Sequence, residues 1–495
     1  MSTFGTYSIA YSGMYVNQAA LTTTSTNLAN VDTTGASKVQ VASADSYTVT
    51  SSETSKGNGV SVASITRSRD IYLDSTYRTQ NADSAYLSVK SGNMEYIDTL
   101  LTEYDVVTTS DDDTTTTTSG VEAAITDFFD AWETLSTSST AESDRVAVVT
   151  AGGDLLSTLT SIDEALQQLQ ADAVTGVNDG VDSLNDLAGQ VAELNVQIAQ
   201  AEVGGGEASY LRDQRDALLD EMSGLANISV TETNGTLRVT MDGVSLVNGS
   251  KTNTLVVEGS GTTDDPLTVK WADSGVEADI SSGSIKGYLE DADQTGYETI
   301  DASDLPYDFT TSATSSISTM RQALNVLITT LAIELNSLAS SGVDLDGNAG
   351  LDFFTAIDSS QPLSITNIEV NPELVKDADK VVTSSSDQDG NNSIADAICD
   401  LDSDTSYQND GTSLDIIDFY AAVTTWLATA GDTAASDYET QATLVSQLDN
   451  QRQAVSAISI DEEMSNMIKF QTAYSASARV MNTIDEMLAA LMDAI

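Results

Sequence analysis

This chain of 495 residues has no histidine, one cysteine (Cys399) and four prolines. Without histidine, neither a Ser-His-Asp nor a Cys-His catalytic arrangement can form, and the usual zinc sites are excluded as well. A lone cysteine cannot form a disulfide within the chain. Aromatic residues make up only 6% of the sequence, so the core is expected to be mainly aliphatic.

Positive charge is also scarce. Lys and Arg number 19 against 76 Asp and Glu, which gives a formal net charge of −57. Nucleic acids and anionic membranes bind cationic surfaces, so neither is expected as a partner. The first basic residue is Lys38 and no apolar run approaches the length of a membrane span. We therefore expect no cleaved secretory signal and no membrane insertion.

Two apolar stripes, one at each end of the chain, repeat every seven residues. This spacing predicts narrow helical stripes that pack against other helices. Thr and Ser fill the other faces of the N-terminal segment, so that helix is expected to be stable only when packed. One such stripe could be an ordinary core helix, but two at opposite ends favour paired terminal helices. The stripe residues are Tyr7, Met14, Leu21 and Leu28, and Ile460, Met467, Tyr474, Met481, Leu488 and Ile495.

The middle of the chain is dominated by helical patterns. Leucines and isoleucines step by four and three residues from Leu155 to Leu169, and a seven-residue series continues from Val177 after a slip near Gly176. This predicts a coiled-coil-like rod. Three glycines at 204–206 end it, and a second helix at 209–225 completes a helical hairpin. Residues 321–339 form another strong helical pattern.

Residues 228–286 alternate apolar and polar residues around Asn234-Gly235 and Asp242-Gly243, which predicts β-hairpins. Residues 341–413 are acidic and weakly periodic, as expected of loops with short strands, and the low-complexity run at 111–120 is expected to be an exposed loop. The predicted fold is mainly α, with paired terminal helices, a long helical-hairpin or coiled-coil-like rod, a small inserted β region and a small outer β/loop domain. The predicted division is 1–35 plus 455–495 as a terminal assembly domain; 36–227 plus 287–340 plus 414–454 as the helical rod; 228–286 as the β region; and 341–413 as the acidic outer region.

The sequence offers little catalytic or metal-binding chemistry. The segment DLDGNAGLDFF at 344–354 resembles a calcium loop, with oxygen ligands between Asp344 and Asp352. However, an EF-hand requires glycine at its sixth position, and Gly347 is the fourth. A Gly/Asp turn is therefore favoured over a calcium site. No cofactor and no catalytic residues are predicted, and an enzyme is the weaker class.

Both ends of the chain carry motifs of a known family. The segment LANVDTTGASK at 28–38 resembles the Ala-Asn-x-x-Thr-x-Gly signature that closes the first helix of flagellar axial proteins, and residues 467–491 resemble their common C-terminal helix. Residues 125–148, 187–202 and 210–225 are similar to the family of the first hook-associated protein, the hook–filament junction subunit. Ala36 stands where these proteins usually carry an aromatic residue, and Lys38 where arginine is common.

The resemblance implies an extracellular structural subunit of the bacterial flagellum, exported without a cleaved signal peptide. It implies assembly with further copies in a ring or helical tube, with hook subunits, and with a second junction protein or flagellin. It also implies a cytoplasmic export chaperone on the C-terminal helix. The expected assembly interface consists of the two stripes together with Asn30, Thr34 and Gly35 of the turn at 29–35.

Two alternatives remain open at this point. The first is a hook or flagellin-like subunit, which would share the terminal helices but differ in the middle of the chain. The second is a hydrolase displayed on a flagellar scaffold. Without histidine, such an enzyme would depend on a carboxylate pair within 341–440.

Overall fold

The computed structural model describes residues 3–49, 55–103, 120–233, 235–262, 264–294, 298–303, 305–307, 315–386 and 391–493. The helices in these ranges are α1 (Thr3–Ala29), α2 (Ile71–Glu103), α3 (Val121–Thr137), α4 (Glu142–Glu202), α5 (Ser209–Leu225), α6 (Ser284–Ala292), α7 (Ser316–Ser340), α8 (Pro372–Lys376), α9 (Ser393–Cys399), α10 (Ile416–Ser456) and α11 (Ile460–Asp493). The strands are β1 (Val39–Val49), β2 (Ser55–Arg67), β3 (Ile228–Thr233), β4 (Thr236–Met241), β5 (Val244–Asn248), β6 (Lys251–Thr252), β7 (Leu255–Glu258), β8 (Thr268–Trp271), β9 (Phe354–Thr355), β10 (Glu369–Val370), β11 (Tyr407–Asn409) and β12 (Thr412–Leu414). The predicted mainly helical class is confirmed.

The central element is α4, a 61-residue helix that extends about 90 Å at the usual rise per residue. It continues through Gly176, where the sequence pattern slipped. A Cβ on Gly176 would lie 2.9 Å from the ring of Tyr288, and one on Gly180 would lie 2.7 Å from Cγ1 of Ile285. The slip therefore marks the place where α6 crosses α4 closely, because two glycines leave room for it.

The buried apolar residues form two clusters along α4. The first joins the N-terminal half of α4 to α3, α7, the start of α10 and the loops between 353 and 401. The second joins the C-terminal half of α4 to α5, α6 and the strands between 228 and 271. Helix α7 is long and apolar enough to cross a membrane by composition alone, but two thirds of its apolar window is buried in the first cluster.

The predicted β region contains a four-stranded antiparallel sheet in the order β3-β4-β5-β6 and a separate β7-β8 pair. Asp242 and Gly243 have φ values of 44° and 77° in the turn between β4 and β5. Two successive positive φ angles are those of a type I′ turn, as the Asp-Gly pair predicts. Asn234 of the other predicted turn lies outside the described residues.

Residues 341–413 were expected to form an outer region, and the structure differs. Phe353 and Phe354 are buried, with ring centroids 4.9 Å apart, and Phe353 lies 5.8 Å from Trp132 of α3. Arg145 of α4 donates to the carbonyl oxygen of Val381. This acidic segment therefore packs into the first cluster and belongs to the helical body. Of the run at 111–120, only Gly120 lies among the described residues.

Residues 36–67 were assigned to the rod, but they form the β1-β2 hairpin, which packs along α1. Its contact with α1 is fixed where the Val60 amide donates to Oγ of Ser12 at 3.1 Å. Helices α2 and α10 form a long pair beside it. Gln441 donates to Gln80 at 3.0 Å, and Arg452 lies over the ring of Tyr77, so the two helices run antiparallel.

Candidate assembly site

The two ends of the chain lie side by side as an antiparallel helix pair, α1 with α11, which we call the terminal pair. Asn27 near the end of α1 donates from Nδ2 to Oε2 of Glu463 near the start of α11 at 3.1 Å. Farther along, a Cβ on Gly13 would lie 3.3 Å from Oγ of Ser477. The absence of a side chain at Gly13 therefore lets the helices approach closely. The predicted pairing of the terminal helices is confirmed within the single chain.

The predicted stripes lie at the border of this contact. Its most deeply buried residues are mostly small or polar: Ala10, Ala20, Thr24, Asn27, Glu463 and Ile484. The stripe residues that are half-buried are Tyr7, Met14, Leu21, Leu28, Met467, Tyr474, Met481 and Leu488. Ile460, the first residue of α11, is 48% exposed, and Ile495 lies outside the described residues. Part of the surface of each stripe therefore stays open to solvent in a single chain.

The outer faces of the terminal pair are also apolar. Large exposed side chains there are Ile9, Tyr11, Tyr15, Met464, Ile468, Val480, Met487 and Met492. In addition, α1 contains no charged residue in a chain whose net charge is −57. Contiguous exposed apolar surface is typical of interaction sites. The lack of charge means that two copies could approach there without strong local repulsion.

The turn after α1 redirects the chain into β1. The Asn30 amide donates to the carbonyl oxygens of Thr26 and Asn27 at 3.1 and 3.0 Å, which closes the last turn of the helix. Gly35 has a φ of 80°, a backbone conformation that favours glycine. Thr34 is exposed. Of the three turn residues predicted at the interface, Asn30 and Gly35 thus have backbone roles, and Thr34 presents its side chain to solvent.

Ser37 attaches the end of this turn to α5. Its amide donates to Oδ2 of Asp213 at 3.0 Å and its hydroxyl donates to Oδ1 at 2.5 Å. Asp213 is also held by Arg67 at the end of β2, with Nη1 2.7 Å from Oδ1. Both ends of the β1-β2 hairpin are therefore tied to α5.

Further ion pairs surround this point and define what we call the joint cluster: Arg67, Arg69, Arg78 and Arg452 with Asp74, Asp213, Asp216 and Asp220. At its centre, Asp216 accepts from Nη1 of Arg67 at 2.8 Å and lies 3.4 Å from Nη1 of Arg69 and 3.5 Å from Nη2 of Arg78. Burial alone would raise the pKa of Asp216, but the three guanidinium charges hold it below its usual value. Asp216 is therefore ionised at neutral pH.

Asp220 connects two long helices to α5 in the same way. Its Oδ1 lies 2.7 Å from Nε of Arg78 in α2, and its Oδ2 lies 2.6 Å from Nη1 of Arg452 in α10. The joint cluster thus ties β2, α2 and α10 to one helix. The joint cluster was not predicted, although the occurrence of three of only 19 basic residues between positions 67 and 78 was an available signal.

The predicted calcium-like loop is a hydrogen-bonded turn. Oδ1 of Asp344 accepts from the amides of Asp346 and Asn348 at 2.9 and 2.7 Å. Asn348 donates from Nδ2 to Oδ2 at 3.0 Å. In the part of the chain that the structure describes, no group of three or more acidic or cysteine side chains is arranged to hold a metal ion. The hydrogen bonds of Asp344 within the loop are those expected of a Gly/Asp turn.

The known proteins that this chain resembles are proteins of the bacterial flagellum. The family model described as the helical domain of flagellar hook-associated protein FlgK matches residues 108–354, and that of the C-terminal part of flagellar basal body rod FlgEFG protein matches residues 450–494. The chain is 29% identical to flagellar hook-associated protein 1 of Bacillus subtilis, over 98% of this chain and 97% of that protein. It is 27% identical to the protein of that name from Escherichia coli, over 98% of both.

A solved structure has the same fold. The flagellar hook junction protein FlgK from Burkholderia pseudomallei aligns with a TM-score of 0.62 and 14% identity, covering 77% of this chain and all of that chain.

Proposed function

Because the chain belongs to the flagellar hook-associated protein 1 family, we propose that it is a structural subunit that forms the junction between the hook and the filament of the bacterial flagellum. The proteins of this family are structural, so the proposed role is an interface and not a reaction. The observation that carries the proposal is the terminal pair, with its uncharged α1 and its exposed apolar faces. These are the properties of a surface that is completed by other subunits.

The terminal pair would assemble with further copies into a ring or helical tube. The half-buried stripes and the exposed side chains from Ile9 to Tyr15 would be covered by neighbouring copies. The charge distribution supports this arrangement. Residues 3–29 contribute no charge, so most of the net charge of −57 lies on the body of the protein. Assembly through α1 would keep the most strongly repelling surfaces apart.

The joint cluster would set the direction of the body relative to this tube. The turn at Asn30–Gly35, the end of β2 and the end of α10 are the places where the chain leaves the terminal pair, and each lies next to a residue bound to α5: Ser37, Arg67 and Arg452. A junction subunit must match the lattice of the hook on one side and that of the filament on the other. A fixed angle between its inner and outer parts would support that role.

The partners that follow from this role are hook subunits on one side and a second junction protein or flagellin on the other. We also propose that a cytoplasmic export chaperone binds α11 before assembly. Its exposed methionines, among them Met464, Met487 and Met492, are flexible apolar side chains suited to binding a partner.

Gold-labelled antibodies on purified flagella test the proposal. We expect label confined to a narrow band where the hook ends, and antibodies against the hook subunit provide the control for position. Label along the whole hook or the whole filament would instead identify a hook or flagellin-like subunit. Deletion of the gene should leave intact hooks while filament subunits are released into the medium.

A further inference from the structure

A groove of about 520 Å³ opens beside the turn that follows α1. One wall is the turn itself, and the other two are α4 and α5. The floor is apolar and half-buried, formed by Leu194, Ala217 and Leu218 together with Ala36, whose methyl group leaves the space open. Tyr210 stands at the edge, 63% exposed, and accepts a hydrogen bond from Gln214 at 2.9 Å. The groove could therefore receive an aromatic side chain.

Near α5, the start of α2 exposes two consecutive large apolar side chains. Ile71 is 83% exposed and Tyr72 is 77% exposed. They lie between Arg69 and Arg78 of the joint cluster, both of which contact Asp216, so they are close to α5 along the length of the protein. Exposed aromatic residues next to aliphatic ones are typical of contact surfaces.

The geometry of the helices prevents Tyr72 from entering the groove of its own chain. On α5, the residues that line the groove and those that face α2 (Asp216 and Asp220) are centred roughly 90° apart around the helix axis. On α2, Tyr72 points roughly 150° away from Arg78 and Asn81, the residues that contact α5. The side chain and the groove thus lie on different flanks of the joint cluster.

We propose that the groove receives Tyr72 of a second copy of this chain. This inference rests on the proposed function and adds a lateral contact to it. The contact is heterologous, because a projecting side chain on one copy enters a groove on the next, and such contacts generate rings or helical tubes. The groove begins at Thr26 and Asn30, at the end of α1, so it is continuous with the terminal pair. Neighbours that assemble through the terminal pair would bring the two surfaces together.

Disulfide cross-linking in assembled flagella tests the proposal. In a Cys399→Ser background, Tyr72→Cys is combined with Gln214→Cys and the flagella are oxidised. We expect a ladder of cross-linked multimers, because each copy contributes one residue of each kind. Either substitution alone should give no product. The control pair, Tyr72→Cys with Gln168→Cys on a distant exposed part of α4, should give none either.

The outcomes separate this proposal from the proposed function. Normal junctions without cross-linked product would refute the lateral contact and leave the junction role intact. A product of this chain with a different flagellar protein would assign the groove to that protein. Single substitutions give a second measurement: Tyr72→Asp should abolish junction formation, whereas Tyr96→Asp, at another exposed tyrosine of α2, should not. If cells that carry Tyr72→Asp are motile and have normal junctions, the proposal is overturned.

Discussion

Met481→Asp tests whether the terminal stripes form the assembly contact. Met481 is half-buried in α11, which pairs with α1, and belongs to neither apolar cluster of the body. Full burial of such a side chain is worth roughly 1.5–3 kcal/mol, so the half that is buried within one chain contributes about 1 kcal/mol. The introduced carboxylate can remain hydrated on its open side. The free protein should therefore be exported and should fold with an almost unchanged melting temperature.

In the assembled tube the same substitution should be far more costly. There the remaining surface of residue 481 would be covered, and an unpaired carboxylate excluded from water costs several kcal/mol in every copy. We expect cells that make and export the variant but lack junctions, release filament subunits into the medium and do not swim. Electron microscopy of hook ends and an immunoblot of the medium measure both effects.

Met222→Asp provides the contrast, because Met222 is fully buried in the second cluster. That variant should lose several kcal/mol of stability in the free protein, which circular dichroism would detect as a lower melting temperature. If cells that carry Met481→Asp swim and have normal junctions, the assignment of the stripes to assembly is refuted. A large drop in the melting temperature of the free Met481→Asp protein would show that the contact at residue 481 stabilises the monomer instead.

Two further predictions concern buried carboxylates. Asp216→Asn should lower the free energy of unfolding by up to about 3 kcal/mol. This is the smallest loss expected for a broken buried ion pair, because Arg67, Arg69 and Arg78 each keep another carboxylate partner. A urea titration would detect the loss, and an unchanged midpoint would contradict it. Asp291 accepts a hydrogen bond from Asn93 at 2.5 Å, and burial raises its pKa to about 7. Since the folded state holds this proton between about pH 4 and pH 7 while the unfolded state loses it, stability should fall as pH rises through that range. In Asp291→Asn this contribution should disappear, and equal slopes in the two proteins would contradict the assignment.

The helices were predictable because their apolar residues recur at a regular spacing. In α4 the pattern specified both the element and its buried face, and only the crossing of α6 at Gly176 and Gly180 interrupted it. The hairpin β1-β2 escaped prediction because its strands are rich in Ser and largely exposed, and because register shifts after Ala42 and Ser46 interrupt the alternation of apolar and polar residues. A strand is recognised from alternation, and this pair obtains its order from contact with α1.

The remaining differences arise from contacts between distant parts of the chain. Phe353 and Phe354 are isolated apolar residues in an acidic segment, and nothing local shows that they enter a core with Trp132. In the joint cluster, Arg67 and Asp213 are 146 residues apart in sequence. The terminal helices were correctly expected to pair. Their rotation about their own axes was not evident from the stripes, because small and polar residues occupy the centre of the contact.

The joint cluster has a mechanical consequence for a part that turns with the motor. In the proposed junction, torque that enters through the terminal pair would reach the body through the chain between α10 and α11 and through the contacts with α5. The part that passes through α5 would be shared between Ser37 with Asp213, Arg67 with Asp216, and the two arginines on Asp220. These contacts bear the load in parallel, so if one of them breaks, the others carry its part of the torque. A single flexible linker at this position would instead twist under the same torque.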